Sequence, residues 1–496
     1  MSVDMKKIIL LTIIIMIVCS LKAQNYGETL EQYKQRMQKE MADFKKQKQD
    51  ELDAFRKKAN EEFAAFMKHK WEELQAFKGI NPPKEPKPPV PTPVDPNSQP
   101  TEDPIPYQKL TPLPAVPELP QPILPETLPL LPPISASVQF DFYGTQYSVK
   151  MHPDMKIHLD EISEAEASRV WLLLCDEKFD ITIKNLLDIK KDLLLNDWGY
   201  IKLVRCFSKA VYGTTLDDAA LLQAYIFSQS GIDLRLVYAG QHLYTAIPFD
   251  EEIYRLQYLQ INDLAYYLLD QTDAETYKVF NKTYSGCKTP SIRISNTPLL
   301  EGNPTNSRVL TSVRYPEIRI KLNENKNLIE YYNDYPLTCK WNYYSQASLS
   351  EEAKEQVYPM LRSKINGLTE SEAANVLINF VQTAFDYATD DEQFGYERPL
   401  FGDETFYYPF SDCEDRSILY SILVRDLLEL DVVLLHFPGH LATAVHFSTD
   451  VRGDYLMVDG TKYVVCDPTY IGATIGMAMP DCKKEGTEIE VIYTSF

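Results

Sequence analysis

The chain has 496 residues, of which 50 are Lys or Arg and 71 are Asp or Glu, so its formal net charge is −21 at pH 7. This length is enough for two or three domains. The acidic balance argues against nucleic acid as a partner, because a phosphate-binding surface needs a basic patch and the sequence shows none.

The first residues have the composition of an export signal. The pair Lys6-Lys7 precedes an apolar run over 8–19, and the small residue Ala23 follows it. This order predicts a signal peptide over 1–23, since the run is too short to span a membrane. A lipid anchor through Cys19 is the less favoured alternative. We therefore expect an exported protein, periplasmic or extracellular, with no integral membrane segment in the mature chain.

Residues 27–78 repeat an apolar pattern every 11 residues. Two series have this period: Leu30, Met41, Leu52, Phe63 and Leu74, and Tyr33, Phe44, Phe55, Phe66 and Phe77. Eleven residues make three turns of an α-helix, so the pattern predicts one long amphipathic helix of the hendecad coiled-coil type. A lone helix exposes such a stripe to water, which favours self-association or docking on another surface. A solvated, charged helix is the alternative.

A proline-rich segment follows over 80–135. It contains 20 of the 33 prolines of the chain, all between Pro82 and Pro133. Such a composition predicts a semi-rigid linker of polyproline II character with no core of its own. We expect it to hold the following domains away from whatever the helix binds; a ligand for a proline-recognition domain is the alternative.

Residues 136–285 and 310–496 share a pattern that predicts two copies of one fold. The stretch L-D-D-A-A-L-L-Q-A-Y-I at 216–226 aligns with C-E-D-R-S-I-L-Y-S-I-L at 413–423, 197 positions later. The stretch G-Q-H-L-Y-T-A-I-P-F at 240–249 aligns with P-G-H-L-A-T-A-V-H-F at 438–447, 198 positions later. We interpret this as an internal repeat; chance similarity between two segments with helix, strand and hairpin order is the alternative.

The segment between the two aligned motifs contains further predicted elements. Y-P-E-I-R-I-K-L and L-I-E-Y-Y, within 315–350, are interpreted as alternating strands, and helices are predicted from Ser350 to Lys364 and from Glu370 to Tyr387. Residues 389–410 form a long loop rich in aromatic side chains. Four of them are predicted to line a substrate cleft: Phe406, Tyr407, Tyr408 and Phe410. Packing of the loop against its own domain is the alternative.

Cys413 lies at the predicted start of a helix. Asp412 suits the N-cap, and an apolar stripe follows from Ile418. Unpaired N–H groups and the helix dipole at such a position favour a thiolate, whereas the acidic neighbours Glu414 and Asp415 oppose it. A base is therefore needed if this thiol is to act as a nucleophile.

A histidine and an aspartate follow in the order of a catalytic triad. His440 opens a predicted strand after a Pro438-Gly439 turn, and Asp467 ends a hairpin centred on Asp459-Gly460. A thiolate attacks a carbonyl, an imidazole moves the proton, and a carboxylate orients the imidazole. Two other histidines lie nearby, His436 and His446; His440 is favoured by its position in the motif.

These residues resemble the transglutaminase-like superfamily. The similarity rests on D-C-x-D before an apolar helix, G-H before an apolar strand and C-D-P-T after a hairpin, and it covers roughly 350–480. It implies an α+β, papain-like core with Cys413 as nucleophile, His440 as general base and acid, and Asp467 as orienting carboxylate. The chain departs from the family pattern in having Leu441-Ala442 after the histidine.

The same resemblance indicates which residues of the first copy occupy the three triad positions. His242 and Asp270 occupy the histidine and aspartate positions, but Leu216 stands where the nucleophile should be. A leucine cannot attack a carbonyl, so we expect this copy to be catalytically inactive.

Two functions follow from these expectations. The first is a secreted thiol enzyme that acts on amide bonds of peptides or proteins through a Cys413 thioester, with hydrolysis favoured over cross-linking to an amine. The second is a non-catalytic adaptor assembled through its N-terminal helix. No cofactor or metal is expected, because the sequence contains neither paired cysteines nor an EF-hand loop.

Overall fold

In the computed structural model the described part of the chain comprises 30–68, 72–75, 77–83, 93–95, 98–113, 118–124, 136–280, 282–484 and 486–494. The predicted signal peptide lies outside these residues. The architecture is α+β, with a long N-terminal helix and two curled six-stranded sheets. None of the described helices has the length and apolar character that a membrane span requires.

The helices of the described chain are α1 (Leu30–Met67), α2 (Glu164–Leu174), α3 (Asp180–Asp192), α4 (Asp197–Tyr212), α5 (Leu216–Gln229), α6 (Lys326–Asn333), α7 (Trp341–Gln346), α8 (Glu351–Ile365), α9 (Glu370–Thr383), α10 (Asp390–Gln393), α11 (Gly402–Tyr407) and α12 (Cys413–Leu428). The strands are β1 (Glu72–Gln75), β2 (Lys109–Thr111), β3 (Ser137–Phe142), β4 (Thr145–Lys150), β5 (Arg235–Ala239), β6 (His242–Pro248), β7 (Tyr258–Ile261), β8 (Leu264–Leu268), β9 (Thr276–Val279), β10 (Arg308–Thr311), β11 (Arg319–Leu322), β12 (Asp386–Tyr387), β13 (Phe410–Ser411), β14 (Val432–Phe437), β15 (His440–Val445), β16 (Tyr455–Val458), β17 (Thr461–Cys466) and β18 (Glu490–Tyr493).

The two large sheets have equivalent strand orders. The first sheet runs β1-β9-β5-β6-β8-β7 and the second runs β2-β18-β14-β15-β17-β16. Their registers also correspond: Tyr258 pairs with Tyr267 in the first sheet, and Tyr455 pairs with Val464 in the second, 197 positions later on both strands. The alignment made on the sequence therefore joins equivalent positions of two similar sheets.

The N-terminal helix is shorter than predicted and docks on its own chain. The prediction of a helix over 27–78 is confirmed over Leu30–Met67 and wrong for Glu72–Gln75, which forms strand β1 against β9. Phe63 and Met67 are buried, and the Phe63 ring lies 4.7 Å from the ring of Trp171. Apolar side chains nearer the helix start, such as Phe44, are exposed. Intramolecular docking thus buries Phe63 and Met67, whereas Phe55 and Phe66 stay 42% and 40% exposed. Self-association through the exposed side chains of the stripe stays a prediction.

The proline-rich segment is not a free spacer where it is described. Its strand β2 pairs in parallel with β18 and extends the second sheet by one strand. Ile105 is buried in the core of that sheet, and Ile123 is buried in the core of the first half. A proline-rich chain lacks a core of its own but still contributes apolar side chains to neighbouring cores, so the prediction of a distance-keeping linker is wrong for these parts.

Several local predictions are confirmed and one is wrong. Helix α8 lies where it was predicted, and α9 begins at the predicted residue with a capping box between Thr369 and Glu372 but ends at Thr383, short of the predicted Tyr387. The L-I-E-Y-Y stretch is helical, within α6, because Leu328, Tyr331 and Tyr332 share a buried side at helical spacing. The predicted strand there is wrong. Contacts such as the hydrogen bond from Trp198 Nε1 to the Asp334 carbonyl, 3.0 Å long, join the two halves.

Candidate functional site

Cys413 is the first residue of helix α12, as the sequence predicted. Asp412 caps the helix in an extended backbone conformation, and its N–H donates to Asp415 Oδ2 over 3.2 Å. The helix lies against the second sheet, where Ser417 Oγ donates to the Leu441 carbonyl oxygen over 2.8 Å, and its Ile418 and Ile422 side chains are fully buried. The Cys413 thiol donates to Glu414 Oε2 over 3.1 Å. The nucleophile candidate is therefore held at the positive end of a helix whose position is fixed by packing.

His440 and Asp467 form a buried pair beside it. Strand β15 begins at His440, strand β17 ends just before Asp467, and β15 and β17 are neighbours in the sheet. His440 Nε2 lies 2.9 Å from Asp467 Oδ2. The Asp467 carboxylate is held in turn by the N–H groups of Thr469 and Tyr470, which donate to its Oδ1 over 2.8 Å and 3.1 Å. With both oxygens engaged, the carboxylate fixes the orientation of the imidazole.

The other ring nitrogen of His440 is the one that remains for a thiol. Nδ1 is buried and has no partner of regular hydrogen-bond geometry among the described residues. Burial by itself would lower the pKa of His440, but the charge and hydrogen bond of Asp467 raise it, and so does the nearby Cys413 thiol; the result is a pKa of about 10. The three candidate triad residues are thus brought together, with an imidazole that favours its protonated form.

Two further buried residues hold this arrangement and were not singled out from the sequence. Gln382 on α9 donates through Nε2 to the carbonyl oxygens of Asp467, Tyr470 and Ala473, which fixes the loop that follows the aspartate. Arg416, one turn after the cysteine, donates to Ser411 Oγ and to the carbonyl oxygens of Gln382 and Phe385, in the last turn of α9 and just after it. All their partners except Ser411 lie more than 30 residues away in sequence, so neither residue has a local signal.

Tyr387 is a third residue that sequence reasoning missed. The sequence placed it in a helix, but it lies in the short strand β12, paired with Ser411 of β13 two residues before the nucleophile. Its hydroxyl is buried and has no hydrogen-bond partner among the described residues. Burial, followed by the charge of Cys413, raises the pKa of Tyr387. This phenol is a protonated donor without an acceptor, next to the candidate nucleophile.

The four predicted substrate-binding aromatics have different positions. Phe406 is buried, 1% exposed, with its ring 6.0 Å from that of Phe385, so it packs the loop against its own domain and cannot line an open cleft. The prediction of substrate contact is wrong for this residue. Tyr408 is half-buried and its hydroxyl donates to Asn333 Oδ1 over 2.8 Å. Tyr407 and Phe410 are exposed and are the two that remain available for contact with another molecule.

The first copy lacks the arrangement found in the second. Leu216 begins α5 at the position equivalent to Cys413 and is 60% exposed. His242 faces Asp217, 3.3 Å away, whereas Asp270 forms an ion pair with Arg205. Its histidine and aspartate are therefore engaged with other partners, and the inactivity of this copy stays a prediction.

The candidate triad is covered. Cys413 is 3% exposed and His440 is 4% exposed. The cysteine packs with Leu434, Leu441 and Ile492, and the half-buried Trp341 of α7 lies against this group. A substrate can reach the thiol only if part of this cover moves.

Comparisons of the chain with protein-family models, with curated proteins and with solved structures find no match.

Proposed function

We propose that this protein is an exported thiol enzyme of transglutaminase-like type that acts on amide bonds of peptides or proteins. The observation that carries the proposal is the buried assembly of Cys413, His440 and Asp467, three residues far apart in sequence. In addition, His440 offers its free Nδ1 while Asp467 engages Nε2. That tautomer is the one needed for a nearby thiol to give up its proton.

The geometry supports a two-step acyl transfer. In the reactive form the Cys413 proton already resides on His440 Nδ1, as the raised pKa of the ring favours, and the thiolate of this ion pair attacks the carbonyl carbon of the amide. We assign stabilisation of the oxyanion to backbone N–H groups at the start of α12 and to the Tyr387 hydroxyl, which has no hydrogen-bond partner among the described residues. His440 then protonates the leaving amine, which departs as the thioester forms. Water or a second amine resolves the thioester; we favour water, and thus hydrolysis.

A small thiol-reactive electrophile tests the nucleophile directly. All seven cysteines of the described chain are free thiols, so each is an internal competitor. We expect preferential labelling of Cys413, loss of that labelling in His440→Ala, and retention of it in the matched control Cys482→Ser. Seven thiols of similar, slow reactivity would refute the enzymatic proposal. Incubation with a mixed peptide library, with and without an added amine, separates hydrolysis from cross-linking.

A non-catalytic adaptor is the second candidate function, and two observations favour it. The thiol is covered by packed side chains, and the first copy has the same strand order without a nucleophile. In this case the two sheets bind protein partners, and the exposed half of α1 mediates assembly. Binding of partners that is unchanged in Cys413→Ser, together with no peptide turnover by the unmodified protein, would favour the adaptor.

A further inference from the structure

Helix α1 carries its 11-residue apolar stripe on a side that the described part of the chain leaves largely open. Met37, Met41 and Phe44 are between 39% and 61% exposed. Phe55 and Phe66 stay exposed too, although the helix lies against the first half of the chain there. The stripe therefore runs from the free end of the helix into its docked end with large apolar side chains in contact with water.

The helix docks on its own chain through a different face. Arg56 forms a buried ion pair with Asp180, with 2.5 Å between Nη2 and Oδ1. Asn60 Oδ1 accepts from Gln229 Nε2 over 3.3 Å, and Met67 is fully buried. At 3.6 residues per turn, the three α1 positions lie about a quarter turn away from the centre of the stripe. The stripe is therefore a second face of the helix, separate from the one that holds it to its own chain.

Charged residues border the stripe with the same period of 11 residues. One border repeats glutamate, and the other border repeats a basic residue. The glutamates are Glu40, Glu51 and Glu62, and the basic residues are Lys34, Lys45 and Arg56. Residues that flank an apolar stripe in this way form ion pairs between the helices of a coiled coil and set the choice and orientation of the partner.

We propose that residues 37–55 form a parallel, two-stranded coiled coil with a second copy of this chain. In a parallel pair the glutamate border of each helix faces the basic border of the other, so Glu40 lies beside Lys45 of the second copy. In an antiparallel pair, glutamate would face glutamate and lysine would face lysine. Glu40 accepts from Arg36 of its own helix over 2.7 Å, and a carboxylate can accept from a further donor.

The stripe fits a second helix better than a lipid surface. A helix that lies on anionic lipid is basic along its polar face, whereas one border of this stripe is acidic. Lys48 is the single polar residue of the stripe within 37–55, and one polar residue at such a position specifies register and oligomer state. The pairing should end near Phe55, because Arg56 is committed to Asp180 and the Phe55 ring faces Gly286.

This pairing joins two folded bodies at their N-terminal helices. Each α1 stays docked on its own first half through Arg56 and Met67, because the proposed contact uses the other face. A particle with two copies binds a polymeric substrate or a repetitive partner more tightly than one copy does, through effective concentration. The inference does not rest on the proposed function, since an enzyme and an adaptor would both assemble in this way.

Sedimentation equilibrium of the full chain measures the association directly. We expect a particle of twice the 57.1 kDa mass of one chain. Phe44→Glu places a charge within the stripe and should raise the dissociation constant by at least about 100-fold. Gln35→Glu is the matched control, because it adds the same charge at an exposed position outside the stripe and should leave the mass unchanged. Since Phe44 is exposed, the melting temperature of the folded halves should be the same in both variants.

An exchange of charges tests the parallel orientation. Glu40→Lys and Lys45→Glu should each raise the dissociation constant by at least about threefold, because each places like charges opposite one another. The double variant should restore the original affinity. Positions 40 and 45 do not face each other on one helix, so this rescue has to come from contact with the second copy.

Four results would overturn the inference. The first is a single-chain mass at about 100 µM, far above the dissociation constant of a specific assembly. The second is association that persists in Phe44→Glu, and the third is a double variant that stays weakened. The fourth is a single chain that binds anionic lipid vesicles and loses this binding in Phe44→Glu, which would assign the stripe to a membrane surface.

Discussion

Replacement of Asp467 by asparagine is the sharpest test of how the candidate triad is organised. The carboxylate raises the pKa of His440 to about 10, against an ordinary value of 6.5 and against burial, which lowers it. Without the negative charge, only burial and the thiol remain to act on the ring. The pKa should then fall to about 6.5 or below, a change of at least about 3 units.

The same replacement changes which nitrogen carries the proton. The two backbone N–H groups that now donate to Asp467 Oδ1 would hold the asparagine carbonyl oxygen in that place. The amide nitrogen would then face His440 Nε2 and donate to it, so the neutral ring would carry its proton on Nδ1. Because Nδ1 must accept the thiol proton, we expect turnover to fall by about 10³- to 10⁴-fold, comparable with the wrong-tautomer effect in serine hydrolases.

Nitrogen-15 NMR of the histidine rings measures both effects. At pH 8 the His440 ring should be almost fully protonated in the native protein, whereas in Asp467→Asn at most about 3% should be protonated. The signal is assigned by its absence in His440→Ala. A histidine whose pKa is higher in the folded than in the unfolded state contributes its full stabilisation at pH values below the unfolded-state pKa. The free energy of unfolding should therefore also fall as the pH rises through the folded-state pKa of about 10. A ring that titrates near 6.5 in the native protein would refute this description of the site.

Three further substitutions test other parts of the structure. Arg56→Ala should lower the free energy of urea unfolding by about 3 to 5 kcal/mol, because it leaves the buried Asp180 carboxylate without its ion-pair partner. The control Lys57→Ala, at an exposed position, should change it by less than about 0.5 kcal/mol. Equal effects of the two substitutions would contradict docking of α1. Phe406→Ala should also cost about 3 to 5 kcal/mol, and Phe410→Ala should leave stability nearly unchanged, since only the former is buried. Leu216→Cys should introduce a thiol of ordinary alkylation rate, because the histidine and aspartate of that copy face other partners; a fast-reacting thiol would contradict the prediction that this copy is inactive.

Much of the second sheet and of the candidate site could be predicted from sequence because the relevant signals are local. Helix α12 begins at Cys413 and strand β15 begins at His440, as capping and apolar patterns predicted. The hairpin at Asp459-Gly460 has both residues at positive φ, which is the conformation that this dipeptide favours. Each of these signals depends on neighbours a few residues away, and tertiary packing agrees with them.

Where the sequence-based predictions were wrong, the outcome depended on competition between distant segments. The 11-residue stripe of α1 was real, but whether it meets another copy or its own chain depends on which surface is available to bury it. Ile105 lies in a proline-rich stretch with no core of its own, and a sheet elsewhere in the chain buries it. Phe406 and Tyr407 are neighbours of similar character, yet only the first is buried.

The sequence by itself therefore determined the local elements, the repeat at offsets of 197 and 198, and the identity of the three triad candidates. Only the tertiary structure decided that Nε2 rather than Nδ1 of His440 meets the aspartate, that Tyr387 lies beside the cysteine, and that α1 docks on its own chain through a face other than its 11-residue stripe. The physical reason is that periodicity and capping act over one or two turns, whereas burial, charge repulsion and hydrogen-bond pairing depend on groups that become neighbours only when the chain has folded.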